Sequence, residues 1–222
     1  ETGVAHVSTA NECAEQVKYL VLAVKPQVLP IVFKELNGKI RKDQVVISIA
    51  AGYAIADLQA GLGDEARIVR SMPNTPAMVG EGMSGVSYDE NLFTDEEKQV
   101  IDGFFTSFGK MEKVDEKLMD VVGSASGCSP AYVYMFIEAL ADGCVKNGLP
   151  RQAAYKMVAQ AVLGSAKMVL ETGKHPGELK DMVCSPGGTT IEGLAALEEN
   201  GFRGAIIKAC DANFEKNKKL KG

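Results

Sequence analysis

Three short runs set the frame of the first half of this chain: Tyr19-Leu-Val-Leu-Ala-Val24, Val45-Val-Ile-Ser-Ile49 and Arg67-Ile-Val-Arg-Ser-Met72. The first is continuously apolar, as expected of a strand buried on both faces of a parallel sheet. Each is stopped by small or rigid residues: Lys25-Pro26, Ala50-Ala51-Gly52 and Pro73-Asn74-Thr75-Pro76. Helical spacing fills the intervals, over Val28 to Leu36 and around Ile55 to Gly61. Asp95 to Phe108 is a further helix with Thr94 as N-cap, flanked by weaker strands over Gly82 to Tyr88 and Gly109 to Val114. Strand, loop and helix repeated in this way predict an α/β domain with right-handed crossovers. Ligands of such sheets bind beyond the carboxyl ends of the strands. There Ala23 to Pro26, Ile49 to Gly52 and Met72 to Pro76 let a flat ligand approach the backbone.

The pattern changes at Glu116, where strand signals stop. Ser129-Pro130 predicts a helix start, with Ser as N-cap and Pro at the first position. The helix from Ala131 to Ala141 is apolar almost all round. Pro150 opens another helix, Arg151 to Glu171, closed by Gly173; a short one follows Pro176 and a last one runs from Phe202 towards Lys216. A helix apolar on every face needs cover on every face. About a hundred residues enclose too little interior to supply it. The sequence therefore divides into an α/β domain, 1–115, and an all-α domain, 116–222, with the second packed against another copy in a homodimer.

Between the last two helices lies Ser185-Pro-Gly187-Gly188-Thr189-Thr190-Ile-Glu192. Thr189 with Glu192 three residues on has the form of a capping box. Two glycines before a helix N-terminus leave backbone N–H groups unpaired and unshielded, which makes an anion site aided by the helix dipole. An ordinary Pro-Gly-Gly turn would carry the same residues.

Composition excludes some classes. The net charge is −5 with both signs interspersed, leaving no basic stripe for nucleic acid and no polybasic or amphipathic membrane anchor. Five scattered cysteines and two histidines make a structural zinc site unexpected. Free thiols in a reducing cytoplasm are the default. The glycine-rich dinucleotide motif G-x-G-x-x-G is missing; Gly61-Leu-Gly63 follows a helix rather than a strand.

Ser126-Gly-Cys-Ser-Pro-Ala-Tyr132, Glu138-Ala-Leu-Ala-Asp142, Gly148-Leu-Pro150, His175-Pro-Gly177, Lys180-Asp181 and Ser185 to Thr190 stand in an order and spacing that resembles the pyrroline-5-carboxylate reductases. Ala23 to Pro26, Ala50 to Gly52 and Met72 to Pro76 extend the likeness over essentially the whole chain. The resemblance implies a Rossmann-type NAD(P)-binding domain followed by an all-α dimerisation domain, with NADPH or NADH reducing 1-pyrroline-5-carboxylate to L-proline in the last step of proline biosynthesis. It implies that the first βαβ unit, with the glycine-rich loop, precedes the point where this sequence starts; Glu1-Thr2-Gly3 lacks an initiator Met. It also implies a homodimer, with assembly into a higher oligomer of dimers possible in principle.

Carried over by position, the resemblance makes Ala23, Val24, Lys25, Pro26, Ile49, Ala50 and Ala51 cofactor-contacting, with Asn11 a further contact. Asn74 and Thr75 form the loop under the nicotinamide. The substrate carboxylate falls to Ser185, Gly187, Gly188, Thr189 and Thr190, with Glu116 reaching the ring. Thr190 is the candidate catalytic residue, as hydrogen-bond partner of the ring nitrogen. His175, before Pro-Gly, reads as a packing or helix-start residue. Met182 departs from members that carry Asn, and Ser129-Pro130 from those with Gly-Pro.

Two rival readings differ in class. A β-hydroxyacid dehydrogenase needs a catalytic Lys on the first long helix, and Ser129 to Val145 has none before Lys146. A reductase fragment could instead serve only as a dimerisation module. The apolar helix makes its own forecast: a dimer without a stable monomer, burying more than the ~2,000 Å² at which obligate interfaces begin. Sedimentation at micromolar concentration checks it, and a folded monomer there would refute it.

Overall fold

The structure, a computed structural model, describes residues 3–219, so Glu1, Thr2 and 220–222 lie outside it. It divides into two compact units, 1–130 with 212–222, and 131–211.

The first unit holds a five-stranded sheet in sequential order: β1 (Tyr19–Leu22), β2 (Val45–Ser48), β3 (Arg67–Met72), β4 (Gly82–Ser87) and β5 (Gly109–Lys113). Strands β1, β2 and β3 run parallel, joined by α2 (Leu29–Leu36) and α3 (Ile55–Leu62). With α1 (Ala10–Gln16) these helices cover one face, over Leu20, Leu22, Val46 and Ile68. Alternate residues Val45, Ile47, Val69 and Val86 face the other side, under Ile101 and Phe105 of α4 (Asp95–Thr106). Burial on both faces is what the unbroken apolar runs require.

The crossovers expected throughout stop at β3. Strand β4 runs antiparallel to it, because residues 73–81 form only one short 3₁₀ turn, Thr75–Val79. A parallel return needs a dozen or more residues and usually a helix. Helix α4 provides one, and β5 is parallel to β4.

After β5 the chain turns through α5 (Met119–Val122) into a π-helical turn, Gly123–Gly127, which leads directly into α6 (Ser129–Lys146). Ser129 is therefore not an N-cap. The backbone is already helical at Cys128, and Ser129 Oγ donates back to Ala125 O at 2.8 Å. Helix α5 comes so close to β4 that a Cβ on Gly85 would lie 2.5 Å from Val122 Cγ1.

The second unit contains most of α6, then α7 (Arg151–Thr172), α8 (Pro176–Met182), α9 (Thr189–Glu199) and the first half of α10 (Phe202–Lys219). Its fully buried apolar core is small: Ala141, Ala154 and Val158. Apolar residues remain exposed on the single chain, among them Met135 (72%), Met157, Leu163, Leu170 (83%) and Ile207. An apolar cleft of about 380 Å³ opens between Met168, Val169, Leu179 and Val183.

One ion-pair cluster ties the first unit's sheet to α4. Thr94 and Glu97 form a reciprocal capping box. Glu97, 3% exposed, also takes both terminal nitrogens of Arg67, at 2.7 and 3.0 Å, and Lys18 Nζ at 3.0 Å. The Arg67 hydrogen bond, above all, overcomes desolvation and holds the Glu97 carboxyl down from 4.5 to about 2. A folded-state value below the unfolded one adds stability that is complete above pH 4.5 and lost as pH falls towards 2. Glu97→Gln should cost about 3 kcal/mol near neutrality, the low end for breaking a buried pair, since Arg67 keeps Leu92 O and Asp43 O. Urea unfolding at neutral pH and in acid checks this: the gap between wild type and variant should shrink as the pH drops.

Candidate functional site

In the first unit a cleft of about 620 Å³ lies beyond the carboxyl ends of β1, β2 and β3. Ala23, Ile49, Asn74 and Thr75 line it, with Phe104 and Phe108 among its apolar walls. The sequence placed these three loops together, and the parallel ladder brings them there. Val24, Lys25, Pro26, Ala50 and Ala51 belong to the same loops but do not line the cleft. Lys25 is exposed and opens the 3₁₀ turn Pro26–Val28; Ala50 is buried. Asn11 lies on α1, where Nδ2 donates to Glu15 Oε1 at 2.8 Å. Its Oδ1 is buried with no hydrogen-bond partner among the described residues.

Asn74 is engaged by main chain at both ends. Nδ2 donates to Ser126 O at 3.1 Å, and Oδ1 accepts from Met83 N at 2.8 Å. Ser126 O is open to this because the residue four further on is Pro130, which has no N–H to close the helical bond. The carboxamide is a strut that fixes the loop, while Thr75 remains exposed beside it.

Glu116 is committed within the first unit. Its Oε1 accepts from Ile55 N at 2.6 Å, the first helical amide of α3, and lies 3.4 Å from Arg70 Nη1. Arg70, 4% exposed, has Asp120 as its second carboxylate at 3.1 Å. Sequence reasoning missed this cluster, although an arginine inside a buried strand signals that acidic partners must exist.

In the second unit Ser185 to Thr190 forms a turn into α9. Gly187 has φ 67°, the left-handed region open to glycine, and Gly188 N donates to Ser185 O at 3.0 Å. The capping box at Thr189 is not formed: Gly188 is the N-cap, and no side chain caps the helix. Thr189 is already the first helical residue, so its hydroxyl points away from the amide a cap must reach. The turn also uses the Gly188 N–H that sequence reasoning left free. The first-turn amides of Thr189, Thr190 and Ile191 have no carbonyl four residues back in the helix, and the hydroxyls of Thr189 and Thr190 are exposed. His175 caps α8, accepting Gly177 N on Nδ1 at 3.0 Å. No group of His, Cys, Asp and Glu able to hold a metal exists among the described residues.

A helix-flanked, mostly parallel sheet with its cleft at the strand ends, in a chain that continues into a helical unit, is the architecture of the Rossmann-type dinucleotide-binding proteins. The family model described as pyrroline-5-carboxylate reductase dimerisation matches residues 116–220, and that described as NADP oxidoreductase coenzyme F420-dependent matches residues 1–52. The pyrroline-5-carboxylate reductase of Escherichia coli is 49% identical over 98% of this chain and 81% of its own length; that of Arabidopsis thaliana is 44% identical over 98% and 78%. The crystal structure of the Plasmodium falciparum pyrroline carboxylate reductase with NADP bound superposes with a TM-score of 0.86 at 37% identity, covering 97% of this chain and 82% of that one. The chain belongs to the pyrroline-5-carboxylate reductase family.

The Glu116 geometry has a measurable consequence. Glu116→Ala should destabilise the fold by about 2 kcal/mol, through a lost helix cap and a buried guanidinium left with one carboxylate. Thermal unfolding measures it. Unchanged stability with a raised substrate KM would assign the carboxylate to the substrate instead.

Proposed function

We propose that this protein reduces 1-pyrroline-5-carboxylate to L-proline with NADPH or NADH, as a homodimer. Residues 1–115 form the cofactor domain and 116–222 the dimerisation and substrate domain. The observation that carries the reading is the cleft at the strand ends in a chain whose relatives bear this activity in their names. A cytoplasmic location fits the free thiols and the absence, among the described residues, of a helix long and apolar enough to cross a membrane.

NAD(P)H, when bound, supplies the hydride. Ala23, Ile49 and Thr75 offer a surface for its flat ring, with Val24 to Pro26, Ala50, Ala51 and Asn11 as outer contacts. The amides of Thr189, Thr190 and Ile191 hold the substrate carboxylate at the positive end of α9, which replaces Gly188 among the donors by Ile191. Ser185 and Gly187 shape the turn. Orientation of this kind removes much of the entropic barrier to a two-reactant step. A threonine hydroxyl is too weak an acid to protonate an imine outright, so Thr190 Oγ1 orients the ring nitrogen of an already protonated imine or relays a proton from water.

Oxidation of NADPH or NADH dependent on pyrroline-5-carboxylate, measured on the purified full chain, tests the activity itself; no turnover with either cofactor would overturn the reading. Thr190→Ala should lower kcat by roughly ten- to a hundredfold, the low end for positioned proton transfer, and raise KM less. Thr190→Ser should recover most of the rate. Neither variant should lose much stability, since the hydroxyl caps nothing. Wild-type kcat in Thr190→Ala would make Thr190 structural.

A further inference from the structure

The π-helical turn that lends Ser126 O to Asn74 is itself held by the end of the chain. Cys128 N closes the turn on Gly123 O at 2.7 Å. Asn213, in the part of α10 that belongs to the first unit, accepts Ser124 Oγ on Oδ1 at 2.8 Å, and its Nδ2 donates to Cys128 Sγ. Asn217, one helical turn on, donates to Asn213 Oδ1 at 3.4 Å and to Asp120 O at 3.3 Å. The approach is close, for a Cβ on Gly123 would lie 2.8 Å from Asn217 Nδ2. A hydrogen-bonded path therefore runs from Asn213 through Ser124 and the turn to Ser126 O, then to Asn74 and Met83 N.

We propose that Asn213 is a positioning residue for the cofactor cleft: it fixes the π-turn, the turn fixes Asn74, and Asn74 fixes the Met72–Pro76 loop. The physical basis is the width of the turn. A π-turn makes its bonds five residues apart and is less stable than α-helix, and Pro130 removes one further bond from the segment that follows. Left alone, residues 123–130 have several ways to pair their carbonyls. The two asparagines select the one that turns Ser126 O towards Asn74. The proposal rests on reading the cleft as the nicotinamide side of the cofactor site.

The test uses the intact dimeric enzyme with three substitutions. Asn213→Leu keeps the branched shape and removes both polar ends. Asn213→Asp keeps the acceptor for Ser124 and Asn217, and Ser124→Ala removes one donor only. Hydrogen exchange without cofactor reads the path directly. In Asn213→Leu the amides of residues 72–83 should exchange about tenfold faster than in wild type, with β1 and β2 unchanged, because local opening is read separately from global unfolding. Asn213→Asp should stay near wild type, and Ser124→Ala should fall between. In kinetics, Asn213→Leu should raise the KM for NADPH several-fold and leave that for pyrroline-5-carboxylate unchanged. In an Asn74→Ala background the same substitution should change the NADPH KM by less than about twofold, since residues on one path are not additive. Should Asn213→Leu fail to fold, the comparison of Ser124→Ala with Asn213→Asp carries the test. Unchanged exchange at 72–83, equal acceleration across the sheet, or additive effects with Asn74→Ala would overturn the proposal. A wild-type enzyme that uses neither NADPH nor NADH would instead overturn the assignment of the cleft, and leave the exchange result to judge the path.

Discussion

A guanidinium inside a strand buried on both faces is the constraint around which the first unit is arranged. Arg70 cannot shed its charge and cannot reach water, so its place in β3 is tenable only with carboxylates against it. Glu116 and Asp120 provide them. Both come from the segment after β5, which therefore has to return across the ends of β3 and β4. Glycine at position 85 makes room for that return. The same Glu116 oxygen then receives the first amide of α3. One buried charge thus connects the middle strand, a crossover helix and the short α5 that leads towards the second unit.

The strands were legible because burial on both faces leaves an unmistakable apolar run, and because Pro or Gly follows each of the first three. Arg67–Met72 stands as read, while the run at Tyr19 ends at Leu22 rather than Val24. Its last residues turn away from the ladder into a loop. The direction of β4 was not legible from strand signals; it follows from how little chain separates it from β3. Caps were read correctly where the hydroxyl precedes the first helical residue, as at Thr94. They were misread at Thr189 and Ser129, where the backbone is already helical and the hydroxyl is displaced by one residue or more. The polar contacts of the candidate site were least legible. Asn74 meets Ser126 across 52 residues and Ser124 meets Asn213 across 89, and no local spacing encodes such pairs. Pro130 was the available clue, because a proline just inside a helix leaves a carbonyl open behind it.

The second unit shows a different economy. Its helices bury three apolar residues fully and leave many more at the surface of one chain. Propensity and capping define these helices well; their packing within one chain does not. Arg151 pairs with Asp142 across the turn from α6 to α7, and an exposed pair of that kind contributes little. A second copy packed over the exposed apolar surface, as proposed above, would supply the burial that one chain lacks.

With a second copy covering that surface, as proposed, protein concentration would become a variable of the fold. Where folding and association are linked, the midpoint of unfolding rises with the amount of chain present, and dilution alone shifts the balance towards unfolded monomer. A newly made chain would therefore spend its first interval with these helices bare, for as long as partners are scarce. Its exposure to aggregation and to proteases is then set by how fast copies meet as well as by how fast each one folds.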